Sequence, residues 1–470
     1  MKKDISIHST SDGWRGWMAD SFTFDFVERI ATPIGRYILK HEGTEVFVGY
    51  DTRFLGLEFA KRAGQVLSQL GMKVFISSKP IPTPMVSFRV NQKKMICGIT
   101  ITASHNPYYY NGIKVRMGYG GAPNEEFTLD IQNLMNSQAT IAIRENCDLQ
   151  EDDPLNDYCQ KLRTIIDWEA FTNRPLKIAV DTMHGTTKGV LKEVLRGSKS
   201  EVSEIHADLD PYFGGVAPEP MESNTQKLQR FISGGKCDLG IAHDGDGDRI
   251  MAIIPEAGYL SPHDVAVALL WYLARMRKQT GIVVGSVTMS KRLSRVAAYL
   301  GLDYKEVPIG FRNACEIMRN EKVLIAGEEN GGIGFGFYLP ERDATLAAAL
   351  LSEAEIVHKG GINGILKEVR KVAGESGFSR LNLKLSVPPA VVMEKLKREV
   401  PEKLVGQAVS KTSEVDGLKL FLESGDWVNI RAAGTEELLR IYAESSDKKK
   451  ALAIAETTEK IIKKIEGGEK

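Results

Sequence analysis

The chain has 470 residues, enough for roughly three or four domains of about 100–200 residues each. Its 61 basic and 61 acidic side chains cancel, which excludes a bulk field drawing it to nucleic acid or to an anionic membrane surface. Any anionic ligand must therefore be met by a local cluster.

Lys2 and Lys3 have no apolar stretch behind them, so Met1 to Gly13 does not read as a secretory signal. Val46-Phe47-Val48 reads as a strand running into Gly49-Tyr50-Asp51. Phe59, Ala63, Val66, Leu67 and Leu70 then fall on one helical face closed by Gly71, and Val74-Phe75-Ile76 is the next strand. The same alternation brings Ile178-Ala179-Val180 to Asp181, Leu239-Gly240-Ile241-Ala242 to Asp244, and Val323-Leu324-Ile325-Ala326 to Glu328. The longest apolar run, around Val265 to Leu273, is about half the length that spans a bilayer and reads as a buried helix. Leu381, Leu383 and Leu385 alternate, Trp427, Val428 and Ile430 form another strand, and Ile454, Ile461, Ile462 and Ile465 line a final helix stopped by Gly467-Gly468. The residues after Ile465 are expected to be poorly ordered.

The expected fold class is α/β: three consecutive α/β domains with mixed, largely parallel sheets, then a small C-terminal α+β domain. The divisions fall at 1–150, 151–258, 259–372 and 373–470, with linkers near Glu151–Pro154 and Gly374–Gly377. Five scattered cysteines, Cys97, Cys147, Cys159, Cys237 and Cys315, lack metal-type spacing and fit reduced, mostly buried thiols in the cytoplasm.

Four polar loops carry chemistry. In Gly98-Ile99-Thr100-Ile101-Thr102-Ala103-Ser104-His105-Asn106-Pro107, an apolar strand delivers Ser104 beside His105, with Lys114 following. A serine needs a base or a metal to act as a nucleophile, and the same residues also make an ordinary turn. No Gly-x-Ser-x-Gly elbow supports a hydrolase. His243-Asp244-Gly245-Asp246-Gly247-Asp248-Arg249 sets three carboxylates at alternate positions, a repulsive arrangement that a divalent cation would relieve. An EF-hand is excluded, because Arg249 and Pro255 stand where it needs glycine and glutamate; a solvated acidic turn stays open. Gly327-Glu328-Glu329-Asn330-Gly331-Gly332 suits vicinal hydroxyls, or a surface turn. Arg431-Ala432-Ala433-Gly434-Thr435-Glu436 suits a phosphate, or a hairpin loop, and Asp12-Gly13-Trp14-Arg15-Gly16 is similarly ambiguous.

Taken together, these loops resemble the α-D-phosphohexomutase family in order and spacing, over nearly the whole chain. Val48-Gly49-Tyr50-Asp51-Thr52-Arg53, Ile81-Pro82-Thr83-Pro84 and Asp181-Thr182-Met183-His184-Gly185 resemble lesser signatures of that family. The resemblance implies four domains around a central cleft. It implies interconversion of hexose 1-phosphate and hexose 6-phosphate, with glucose or mannose, through a bisphosphorylated intermediate. Ser104 would carry the phosphoryl group; Lys114 would act as general acid or base, supported by His105 and Arg15. Asp244, Asp246 and Asp248, with the Ser104 phosphate, would hold Mg²⁺, and hexose 1,6-bisphosphate would be the activator. Arg249, Arg312, Glu328 and Asn330 would meet the sugar phosphate, and Arg431, Gly434 and Thr435 the phosphate that is not reacting. The implied partner is a small phosphosugar, with neither nucleic acid nor membrane, for a monomer or homodimer.

Several residues depart from the family pattern. Ala433 and Asn330 stand where serines are common, Phe311-Arg312 where a Gly-aromatic-Lys stretch is usual, and Ser9-Thr10-Ser11 where Phe-Gly-Thr is usual. The competing readings are a phosphoglucosamine mutase, a serine-dependent sugar phosphatase and a non-catalytic sugar-phosphate sensor.

Overall fold

The computed structural model describes residues 9–10, 12–137, 147–433 and 438–467. They form two compact units, one of residues 1–282 and 310–366, the other of residues 283–309 and 367–470.

The first unit contains a seven-stranded and a five-stranded sheet, each with parallel pairing toward one edge and antiparallel pairing toward the other. In the first sheet the order is Ser9–Thr10, Gly13–Trp17, Tyr110–Met117, Cys97–Ile101, Glu45–Tyr50, Lys73–Ser77 and Leu149–Asp152. Glu45–Tyr50 runs parallel to Lys73–Ser77 and to Cys97–Ile101, whereas Tyr110–Met117 returns antiparallel against Cys97–Ile101. That return brings Lys114 opposite Thr100, so the serine loop and the lysine come from adjoining strands. Every residue of Cys97–Ile101 is buried, as expected of an interior strand with both faces covered. The helices Phe24–Lys40 and Gly56–Gln69 pack on each other. Thr23 caps the former, its hydroxyl oxygen accepting from the Phe26 N–H at 3.2 Å.

The acidic stretch expected to be a linker is instead partly structured. Leu149–Asp152 forms the edge strand, parallel to Lys73–Ser77, and its exposed Gln150 and Glu151 suit an unpaired sheet edge. Arg89 binds both Asp152, at 3.0 Å, and Asp157, at 2.8 Å, beyond it.

The second sheet runs Gly258–Leu260, Ile250–Ile254, Leu239–His243, Lys177–Asp181 and Glu201–Ile205. Leu239–His243 is parallel to Lys177–Asp181 and antiparallel to Ile250–Ile254, so the loop of three aspartates is the turn of a buried hairpin. The apolar run Val265–Leu273 is buried throughout. It spans the helix Pro262–Trp271, which begins with a Ser261–Asp264 capping box, and enters the following turn. Ala344–Val357 packs on that helix, capped by Asp343.

In the second unit, Ile282–Ser286 pairs in parallel with Tyr304–Val307. A six-stranded antiparallel sheet follows, in the order Gly377–Lys384, Leu438–Ser445, Trp427–Ala432, Leu418–Leu422, Gln407–Ser413 and Lys403–Leu404. The helices Pro389–Arg398 and Lys448–Gly467 contribute Val392, Leu396, Ile454 and Ile462 to its core. Among the described residues, no helix is long and apolar enough to cross a membrane.

Candidate active site

Ser104 ends the descent from the buried strand Cys97–Ile101 and is itself inaccessible to solvent. Its backbone is left-handed, with φ 55°, an uncommon state for a residue bearing a Cβ. In that conformation its Oγ donates to Asp244 Oδ2 at 2.9 Å, and His105 Nδ1 lies 3.5 Å from the same oxygen. Arg15 Nη1 donates to Asn106 Oδ1 at 2.7 Å, holding the far side of the loop.

The acidic loop reaches this serine because Gly245 lacks a side chain, and Gly247 lets the same loop pack closely on its other side. A Cβ on Gly245 would lie 2.8 Å from the Ser104 carbonyl oxygen. Gly247 has φ 69°, and a Cβ there would meet Thr187 Cγ2 at 2.6 Å. The Asp248 and Arg249 N–H groups donate to Asp244 Oδ1 at 3.0 and 3.1 Å, which fixes the turn.

Asp244, Asp246 and Asp248 are fully buried, and each offers an oxygen within 4.8 Å of the others. Asp246 Oδ1 and Asp248 Oδ1 accept no hydrogen bond among the described residues. An all-carboxylate set with buried, unsatisfied oxygens fits a hard divalent cation such as Mg²⁺. Burial and then the charges of Asp248 and Asp246 push the Asp244 carboxyl well above its ordinary range. Burial alone would raise Asp246 too, but the adjacent Lys114 ammonium holds it below.

Lys114 Nζ contacts Asp246 Oδ2 at 2.7 Å and Asp248 Oδ2 and Asp12 Oδ2 at 2.8 Å each. Burial opposes its charge, yet these three carboxylates outweigh burial and raise its pKa, so Lys114 is held as an ammonium. Thr83, at the start of the helix Thr83–Gln92, donates to Asp246 Oδ2 at 2.5 Å.

Two residues to which the sequence assigned no role complete the cluster. Arg342 Nη2 binds Asp248 Oδ2 at 2.7 Å and Asp12 Oδ2 at 2.8 Å, while its Nη1 binds Glu328 Oε2 at 3.1 Å. Asp12 joins Lys114, Arg116 and Arg342. Burial would raise its carboxyl, but these cations hold it well below the usual range. Asp12 lay within a recognised motif; Arg342 had no signal beyond a charged Glu-Arg-Asp run before a helix.

Ser104, His105, Arg15, Lys114, the three aspartates, Arg249 and Glu328 thus belong to one connected cluster in the first unit. Arg249 Nε lies 3.7 Å from both Asp244 and Asp248. Glu328 is already engaged, its Oε1 accepting from the Gly310 N–H at 2.8 Å and its Oε2 from Arg342. Asn330 Oδ1 accepts from the Gly332 N–H at 2.9 Å, which shapes the same turn. Arg312 donates to Thr128 Oγ1 at 2.9 Å. In the second unit, Arg431 Nε binds Asp416 Oδ1 at 3.1 Å. Gly434 and Thr435 lie outside the described residues.

Comparison with known proteins agrees along the chain. Profiles of the phosphoglucomutase/phosphomannomutase family match as α/β/α domain I over 8–142, domain II over 156–258, domain III over 261–372 and C-terminal domain over 390–461. A phosphoglucomutase/phosphomannomutase of Thermococcus kodakarensis is 29% identical over 465 residues, 96% of this chain and 97% of the relative. A phosphoglucosamine/phosphogalactosamine mutase of Sulfurisphaera tokodaii is 26% identical, over 96% of this chain and 98% of the relative. A crystal structure of a candidate phosphomannomutase from Thermus thermophilus is 30% identical with a TM-score of 0.87, covering 97% of this chain and 99% of that one.

Proposed function

We propose that this chain, which belongs to the phosphoglucomutase/phosphomannomutase family, interconverts hexose 1-phosphate and hexose 6-phosphate of glucose or mannose through a phosphoserine at Ser104. As a member it is a phosphomutase, an isomerase-type phosphotransferase. The observation that carries the residue assignment is the 2.9 Å contact between Ser104 Oγ and Asp244, inside a buried cluster of three carboxylates beside Lys114.

In the proposed transfer, the bond from Ser104 Oγ to phosphorus breaks as a sugar hydroxyl oxygen bonds to phosphorus. The hydroxyl loses a proton and Ser104 Oγ regains one. The sugar, now carrying two phosphates, turns around and returns the other phosphoryl group to Ser104. This chemistry depends on in-line positioning and on neutralising charge. Asp244, Asp246, Asp248 and the Ser104 phosphate would hold Mg²⁺, which when bound offsets charge on the phosphoryl oxygens. Lys114, held as an ammonium, gives its proton to Ser104 Oγ and is restored by the proton the sugar hydroxyl loses; His105, Arg15 and Arg249 add positive charge. The family resemblance assigns Arg431, Gly434 and Thr435 to the phosphate that is not reacting. Arg312, Glu328 and Asn330 belong to the sugar side. A trace of hexose 1,6-bisphosphate primes Ser104, and the scattered, mostly buried cysteines, none of them in a disulfide among the described residues, are consistent with a cytoplasmic setting.

A second reading, phosphoglucosamine mutase, draws support from the Sulfurisphaera tokodaii relative. Glu329-Asn330, where Gln-Ser is usual in those enzymes, favours glucose or mannose. Initial rates on glucose, mannose and glucosamine 1-phosphates, with Mg²⁺ and activator, test the choice. The proposal expects kcat/KM highest for glucose or mannose; a clear preference for glucosamine would replace it with the second reading.

A further inference from the structure

Arg53 is 3% exposed, and every N–H of its guanidinium is used within the protein. Nε donates to Asp51 Oδ2 at 3.1 Å. Nη1 donates to the carbonyls of Pro107 and Tyr110 at 2.8 and 3.1 Å. Nη2 donates to the carbonyls of Ser104 and Asn106 at 2.7 and 2.6 Å. The Phe213 ring covers the guanidinium at 4.8 Å. With five donors and five bonds, Arg53 has no N–H left for a substrate phosphate.

The network closes on Ser104. Asp51 accepts from the Arg53 backbone N–H at 3.0 Å and from the Thr102 hydroxyl at 2.6 Å. Thr102 Oγ1 in turn accepts the Ser104 N–H at 2.8 Å. Both backbone polar groups of Ser104 are therefore tied to one buried ion pair, the N–H through Thr102 and the carbonyl directly by Arg53. Between those ties the residue holds φ 55°. A strained backbone persists only where its surroundings over-determine it, and here the determinants are identifiable.

We propose that Arg53, held by Asp51, is a positioning residue that imposes the left-handed backbone on Ser104 and so aims its Oγ at Asp244. The inference rests on the reading of Ser104 as the phosphate carrier. Lysine at position 53 keeps the charge, but its single ammonium cannot reproduce a planar fork across four carbonyls. Misplacing a reacting atom by about 1 Å lowers a rate by about 10²-fold.

The test is steady-state kinetics of Arg53→Lys, alongside Ser104→Ala and thermal unfolding of each variant. Arg53→Lys is expected to lose about 10²-fold in kcat while KM stays within about threefold, the split expected when positioning rather than binding is lost. A folded variant with kcat within about twofold of the parent overturns the proposal. So does a raised KM at unchanged kcat, which would make Arg53 a substrate ligand. Should Arg53→Lys not fold, Thr102→Val decides. It removes only the hydroxyl joining Asp51 to the Ser104 N–H, with about a tenfold loss of kcat expected and an unchanged kcat contradicting the clamp. An inactive Ser104→Ala beside a fully active Arg53→Lys sinks the clamp alone; an active Ser104→Ala sinks the phosphoserine reading itself.

Discussion

Gly245→Ala probes the contact between the serine loop and the acidic loop. The added methyl would stand 2.8 Å from the Ser104 carbonyl oxygen and 3.1 Å from Pro218 Cγ. A carbon and a carbonyl oxygen rest at about 3.3 Å, so the two loops must separate by about 0.5 Å. Gly245 is not among the residues with positive φ, so alanine can adopt its backbone and the perturbation is steric. If about 1 Å of misplacement lowers a rate about 10²-fold, half that displacement lowers kcat about tenfold. Overpacking of this kind destabilises by about 1–3 kcal/mol, leaving a folded protein to assay. The measurement is kcat and KM on glucose 1-phosphate at saturating activator, paired with urea unfolding. A tenfold fall in kcat with KM nearly unchanged is expected. A normal kcat would refute the argument that the closeness of the two loops sets the geometry of transfer.

Lys114→Met removes the ammonium shared by Asp12, Asp246 and Asp248. Buried carboxylates without their partner should destabilise the fold by about 3–5 kcal/mol, and added Mg²⁺ should restore more stability to the variant than to the parent. Urea unfolding with and without Mg²⁺ checks both, and equal stability of the two proteins would contradict the pairing. Asp343 tests pH dependence: burial pushes its carboxyl up to about 6, from 3.8. The folded state therefore binds this proton more tightly, so the contribution is whole below about pH 4 and is lost as pH rises through about 6. Asp343→Asn should gain on the parent by up to about 3 kcal/mol between pH 4 and 7 in denaturant titrations; a flat or opposite trend would contradict the assignment.

Much of the site was legible because its polar loops follow buried strands. The apolar run before Ser104 and the run before Asp244 both announce a strand end, where ligands of such sheets gather. Spacing of the three aspartates was equally readable, since repulsion between neighbouring carboxylates is a local property. Arg342 was not, because its partners Asp12, Asp248 and Glu328 are joined to it only by the fold. Thr83 stood only inside a lesser family signature, Ile81-Pro82-Thr83-Pro84, with no role given to it, yet its hydroxyl meets Asp246 across 163 positions. The edge strand that reaches into the expected linker at Glu151–Pro154, a stretch lying between the domain I and domain II matches, escaped for a different reason. An edge strand of four residues is too short to show alternation, and its acidic side chains are what a solvent-facing edge tolerates. In Glu328 the residue type was legible but its surroundings were not, because both carboxylate oxygens are occupied by Gly310 and Arg342.

The most direct test of the central claim is to find the phosphate. Protein treated with labelled hexose 1,6-bisphosphate, digested and analysed by mass spectrometry, should carry label on the peptide containing Ser104. A chase with unlabelled glucose or mannose 1-phosphate should remove that label at the rate of turnover, and Ser104→Ala should take up none and catalyse no isomerisation. Label on another residue, or label on Ser104 that persists through many turnovers, would contradict the account.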